Sequence, residues 1–153
     1  MTIELDLQDV SGADSVPELS EFERWVEEVL REGPSVSLAI RVVDEKEMRD
    51  LNERFRGKEG ATNVLSFPAE LPGHLDGQLD PQPLGDIVIC AAVVEAETLE
   101  QGKVASHHWA HLTVHGLLHL RGYDHQDDDQ AEAMESLETE ILDRLGIPDP
   151  YAG

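Results

Sequence analysis

With 153 residues the chain is sized for one domain around one core, and an apolar fraction of 40% is ordinary for a globular protein. Thirty-three acidic residues against eleven basic ones give a formal charge of −22, which excludes long-range attraction to polyanions. Any contact with nucleic acid must come from a local basic groove, because exposed charges are screened beyond about 8 Å at physiological salt.

The longest apolar run, Ile87 to Val94, is too short to cross a bilayer, and the opening MTIELDLQDV has no basic region ahead of an apolar segment. The single Cys90 has no internal partner, so no membrane contact and a reducing, cytoplasmic setting are expected.

Residues Thr2 to Leu7 alternate Ile3, Leu5 and Leu7 with Glu4 and Asp6, the period of a half-buried strand. Asp9 to Val16 is a small, acidic connector. From Pro17, Leu19, Phe22, Val26, Val29 and Leu30 recur every three or four positions, predicting an amphipathic helix that stops at Gly33 and Pro34. Ser35 to Val43 reads as a second strand. Asp44 with Glu47 three residues on has the form of a capping box, opening a helix through Met48, Leu51 and Phe55 that ends near Gly57. Arg49, Arg54, Arg56 and Lys58 crowd its far end. Arg49 and Arg54 read as cations suited to the negative helix terminus, whereas Arg56 and Lys58 flank the exit and are candidates to face a phosphate.

Thr62 to Pro68 is a short strand stopped by proline, and Ala69 to Leu84, rich in Gly, Pro and Asp, reads as a long loop. Gly85 to Cys90 is apolar enough for a central strand. A helix from Ala91 to Gln101 is broken by Gly102, and another spans Ala105 to Arg121, with Trp109, Leu112, Leu117, Leu118 and Leu120 for burial. Asp127 to Asp129 cap a last helix whose core stripe is Met134, Leu137, Ile141 and Leu145; Gly146 ends it, and Ile147 to Gly153 is a tail. Without repeats, a linker or a clean βαβ alternation, the expected architecture is a single α+β domain over residues 1–153, a mixed sheet packed with helices.

The chemistry concentrates in WAHLTVHGLLHLRGYDH, Trp109 to His125. His115 and His119 are four apart and share one face of a helix, Gly122 lets the chain turn back, and His125 returns as a third nitrogen. Three ligands on a tetrahedral ion leave one open position, as in catalytic rather than structural zinc. The spacing is that of the metzincin peptidases, but the glutamate that serves there as general base is here Gly116. A peptidase is therefore disfavoured while the metal geometry is kept. His111 reads as packing or support for the site. His107 and His108, at the start of the helix, and His74, in a loop, read as solvent-facing.

HGLLHLRGYDH at His115 to His125, LNERFRGKEGATNVLSFP at Leu51 to Pro68 and LGDIVIC at Leu84 to Cys90 resemble the three blocks of the YbeY family of bacterial endoribonucleases. The resemblance implies a four-stranded mixed sheet, one Zn2+ on His115, His119 and His125, and a functional arginine at Arg56. It further implies cleavage of single-stranded RNA in 3′-end maturation of the 16S ribosomal RNA precursor and in ribosome quality control. The implied partners are the small ribosomal subunit and an Era-type GTPase. Arg56 and His115 are the catalytic candidates, with Arg56, Lys58 and Arg121 for substrate. The competing reading is a non-catalytic ribosome assembly factor in which the metal is structural.

Overall fold

Four strands, β1 (Ile3–Asp9), β2 (Val36–Val43), β3 (Val64–Pro68) and β4 (Gln82–Cys90), form one sheet in the order β1-β2-β4-β3. The first three in that order run parallel, and β3 pairs antiparallel to β4. Among the described residues five helices accompany them: α1 (Leu19–Leu30), α2 (Glu45–Arg56), α3 (Ala91–Gln101), α4 (Ala105–Leu120) and α5 (Asp128–Arg144). The structure is a computed structural model that describes residues 2–31, 33–75, 77–124 and 126–151. Among them no helix is long and apolar enough to cross a membrane.

The strand alternation seen in the sequence decides which side is buried. Leu38, Ile40, Val42, Ile87 and Ile89 point to one face, where α1, α4 and α5 supply Phe22, Trp25, Trp109, Leu117 and Ile141. Phe22 meets Trp25 and Trp109 edge-on at 5.3 and 6.1 Å, a geometry worth about 0.5–1.5 kcal/mol per pair beyond area burial. The opposite face is covered in part, by Met48 and Leu51 of α2 over Val43, Leu65, Val88 and Cys90. Cys90 is a buried free thiol.

Caps set the element ends. Asp44 accepts from the Glu47 backbone N–H at 2.9 Å, and Asp127 from that of Gln130 at 2.8 Å. Only half of the expected capping box forms, because the Glu47 carboxylate turns away to grip Arg41 at 2.7 and 3.1 Å. Gly57 closes α2 at φ 66°, its N–H bonded to the Asn52 carbonyl, and so fixes where Arg56 leaves the helix.

The connection from β1 through α1 to the parallel β2 is one βαβ unit inside the expected mixed sheet. Two strand boundaries need correction. β3 begins at Val64 rather than Thr62. β4 begins at Gln82 rather than Gly85, so the long loop is shorter than Ala69 to Leu84 and holds a 3-10 turn at Gly73–Leu75. Prolines 81 and 83 made that stretch read as loop, but the register continues through it, Val36 opposite Gln82 and Ser37 opposite Pro83, with a bulge before Leu38.

Candidate metal centre

Helix α4 lies on the buried face of the sheet and carries His115 and His119 one turn apart. Nε2 of His119 is 3.1 Å from Nε2 of His115. Two nitrogens held about 2.0–2.1 Å from one tetrahedral ion stand roughly 3.3 Å apart, so this pair fits a shared cation.

What aims His115 is a residue that sequence reading passed over. Glu138 of α5 is 0% exposed. Its Oε1 accepts from Nδ1 of His115 at 2.5 Å, and its Oε2 from Nε2 of His111 at 3.1 Å and from the Tyr151 hydroxyl. Burial by itself would push this carboxyl up; the donors from His111, His115 and Tyr151 outweigh it and hold the group at about 2. The carboxylate is therefore ionised and can only accept, which puts the His115 proton on Nδ1 and leaves the Nε2 lone pair facing outward. Burial and the adjacent carboxylate push the Tyr151 phenol up, so it stays a donor. The network ties His111 to the same carboxylate that holds His115.

His111, His115 and Glu138 also form a possible metal site by themselves, each offering an atom within 4.8 Å of the others. Yet both Glu138 oxygens are occupied by donors, and the arrangement is the one by which a carboxylate orients a metal-binding imidazole from behind. His125, the third ligand expected from the sequence, lies outside the described residues.

Gly116, which stands where a metzincin has its base, faces the sheet. A Cβ there would meet Ile87 Cγ2 at 3.1 Å and Ser66 Oγ at 3.2 Å, and that serine already donates to the Gly116 carbonyl at 2.9 Å. The helix needs glycine to approach β3 and β4 this closely. Gly116→Glu is therefore expected to yield no peptidase, but a protein destabilised by at least about 3 kcal/mol through overpacking and a buried unpaired charge. Thermal melting alongside a casein-digestion assay checks this, and a variant with a wild-type melting temperature contradicts it.

His115 and His119 open into a cleft of about 430 Å³ whose wall includes Arg56, Ser66, Tyr123 and Asp124. The cleft joins the C-terminal turn of α2 to the metal helix, so residues 59 positions apart in sequence share one space. Arg56 is exposed there. Lys58 and Arg121 are also exposed but do not line this cleft.

His74 is exposed as expected, but His108 is a correction. It is 4% exposed, with Nε2 2.9 Å from Oε1 of Glu97, which also accepts from Nδ2 of Asn63 at 3.0 Å. Burial pushes its pKa down against the pull of Glu97. α3, which carries Glu97, covers the start of α4, and helical spacing alone did not show it.

The chain matches the family model described as Endoribonuclease YbeY over residues 9–146. It is 55% identical over 151 residues to the Endoribonuclease YbeY of Pseudomonas entomophila (strain L48), covering 98% of this chain and 94% of that one. To the protein of the same name from Xanthomonas euvesicatoria pv. vesicatoria (strain 85-10) it is 58% identical over 139 residues, 90% of this chain and 86% of the relative. The solution structure of TM1509 from Thermotoga maritima shares the fold, with a TM-score of 0.58 at 24% identity over 99% of this chain and 100% of that one. A match that runs from the end of the first strand to the glycine after α5, with relatives more than half identical along most of their length, means that this chain belongs to the YbeY family.

Proposed function

We propose that the chain is a zinc-dependent endoribonuclease that cuts single-stranded RNA, with His115, His119 and His125 holding the ion. The observation that carries this reading is the shared cleft, lined both by an exposed arginine and by two imidazoles whose nitrogens converge. The relatives' name, Endoribonuclease YbeY, supplies the substrate class. When bound, the ion supplies Lewis-acid polarisation of a phosphoryl oxygen.

The chain's own residues do the rest. Glu138 holds His115 in the tautomer that leaves Nε2 free of a proton. Arg56 presents a planar fork of donors to the phosphate and stabilises the negative charge that develops on it. The burial of Leu117, Leu118 and Leu120 keeps the helix behind the cleft dry. Gly116 offers no proton acceptor, which favours a phosphodiester over a peptide. The 16S ribosomal RNA precursor within the small subunit is the proposed substrate, in 3′-end maturation and quality control, with an Era-type GTPase as a further partner. Lys58 and Arg121 are proposed to contact the RNA outside the cleft. The single-domain, cytoplasmic reading completes the proposal.

Cleavage of a labelled single-stranded oligoribonucleotide tests it. Arg56→Glu is expected to slow cleavage by at least about 10²-fold, and His115→Ala to abolish it, with circular dichroism unchanged. Wild-type rates in both variants would leave the assembly-factor reading, with a structural metal, in its place.

A further inference from the structure

A cleft larger than the one beside the histidines lies elsewhere among the described residues. It is a groove of about 820 Å³ on the sheet face opposite α4. Helix α2 covers only the part of that face holding Val43, Leu65 and Cys90. Among the described residues the strip beyond it, over Ser37 and Ala39 of β2, opens into the groove without a covering element. Phe55, 56% exposed, stands along its edge and meets Phe67 of β3 edge-on with ring centroids 5.4 Å apart. An exposed aromatic pair beside an uncovered sheet surface marks a place where another apolar side chain gains by binding.

Charge says what that side chain belongs to. Glu4, Asp6, Glu70 and Asp86 rim the groove. Among the described residues none of these four takes part in a salt bridge. The one cation of the lining, Arg41, is already gripped by Glu47. RNA would be repelled here, and so would the identical groove of a second copy. We propose that this groove docks a lysine- and arginine-rich polypeptide segment that seats a large apolar side chain against Phe55 and Phe67.

The position adds a consequence. Phe55 lines the groove and Arg56, the next residue, lines the metal cleft, while Pro68 borders both. A basic segment seated here therefore lies beside the metal cleft. If it also holds RNA, it brings a strand to a protein whose total charge repels free RNA; this last step rests on the endoribonuclease reading, whereas the docking does not.

The test is fluorescence anisotropy with a labelled twelve-residue peptide of lysine, arginine and two leucines, on the whole chain. Asp6→Lys with Asp86→Lys is expected to raise the Kd at least tenfold, and Phe55→Ala likewise. The control pair Glu21→Lys with Glu132→Lys, the same charge change on exposed positions of α1 and α5, is expected to change it less than threefold. Equal losses in the two pairs would mean diffuse charge attraction and overturn the proposal, as would full binding by a folded Phe55→Ala protein. So would a labelled oligoribonucleotide, or a concentration-dependent dimer, whose binding is the one lost on Phe55→Ala. Should Phe55→Ala fail to fold, the two charge pairs decide alone. RNA cleavage reads the other hypothesis separately: an inactive chain that still binds the peptide in this groove leaves the docking intact.

Discussion

Glu138→Gln is expected to weaken zinc binding by about 10- to 100-fold, the usual cost of losing the group that orients a metal-bound histidine. Glu138 is enclosed by three donors and offers two acceptor oxygens to them. An amide has one acceptor oxygen, and its own N–H groups would face donors. The His115 imidazole then loses the partner that keeps its proton on Nδ1. In the other tautomer the proton sits on Nε2, where an ion needs a lone pair. The same change leaves buried donors unsatisfied, at about 1–3 kcal/mol of stability.

Competition for zinc against a chromophoric chelator measures the first effect, and thermal unfolding of the metal-free protein the second. Two further variants separate the two ways a cation can sit here. If the ion lies on the cleft side, His119→Ala removes most of the binding and His111→Ala weakens it only modestly. The reverse order would place the ion among His111, His115 and Glu138 and end the account of Glu138 as an orienting group.

Gly85→Ala is expected to be among the most destabilising single-methyl additions in the chain. Gly85 has φ 133°, a backbone region that side chains rarely adopt, and it pairs with Pro68 at the end of β3. A Cβ would clash with the Phe67 carbonyl oxygen and stand 2.8 Å from the Ala69 nitrogen, both backbone atoms that cannot swing aside. Strain and overpacking together should cost at least about 3 kcal/mol. For a chain of this length that lowers the melting temperature by roughly 6–12 °C.

The damage would reach the cleft, because β3 also carries Ser66, whose hydroxyl ties the strand to the Gly116 carbonyl of α4. Calorimetry checks the stability, and the zinc titration checks the cleft. A variant melting within a degree or two of wild type would mean that β3 can shift away from Gly85 without loss.

Much of this molecule is written locally. Alternation in Ile3 to Leu7 and Val36 to Val42, helical spacing in α1 and α5, and the caps at Asp44, Gly57 and Asp127 are interactions within a few residues. They can be read from the order of side chains alone. The same holds for His115 and His119, because four residues on a helix fix their neighbourhood whatever surrounds it.

What the sequence did not reveal depends on which surfaces meet. Glu138 stands four residues after Met134 and three before Ile141, inside the apolar stripe of its helix, and an acid in such a stripe was the one available sign of a buried role. Its partners come from α4 and the C-terminal tail, so only packing could identify them. His108 became buried because α3 brought Glu97 against it. Residues 82–84, between Pro81 and Gly85, joined the sheet because β2 offered a partner edge. Spacing along one chain determines which groups share a face; the free energy of burying a charge, and therefore its role, is decided by donors from other elements, and those meet only when the helices and sheet have packed.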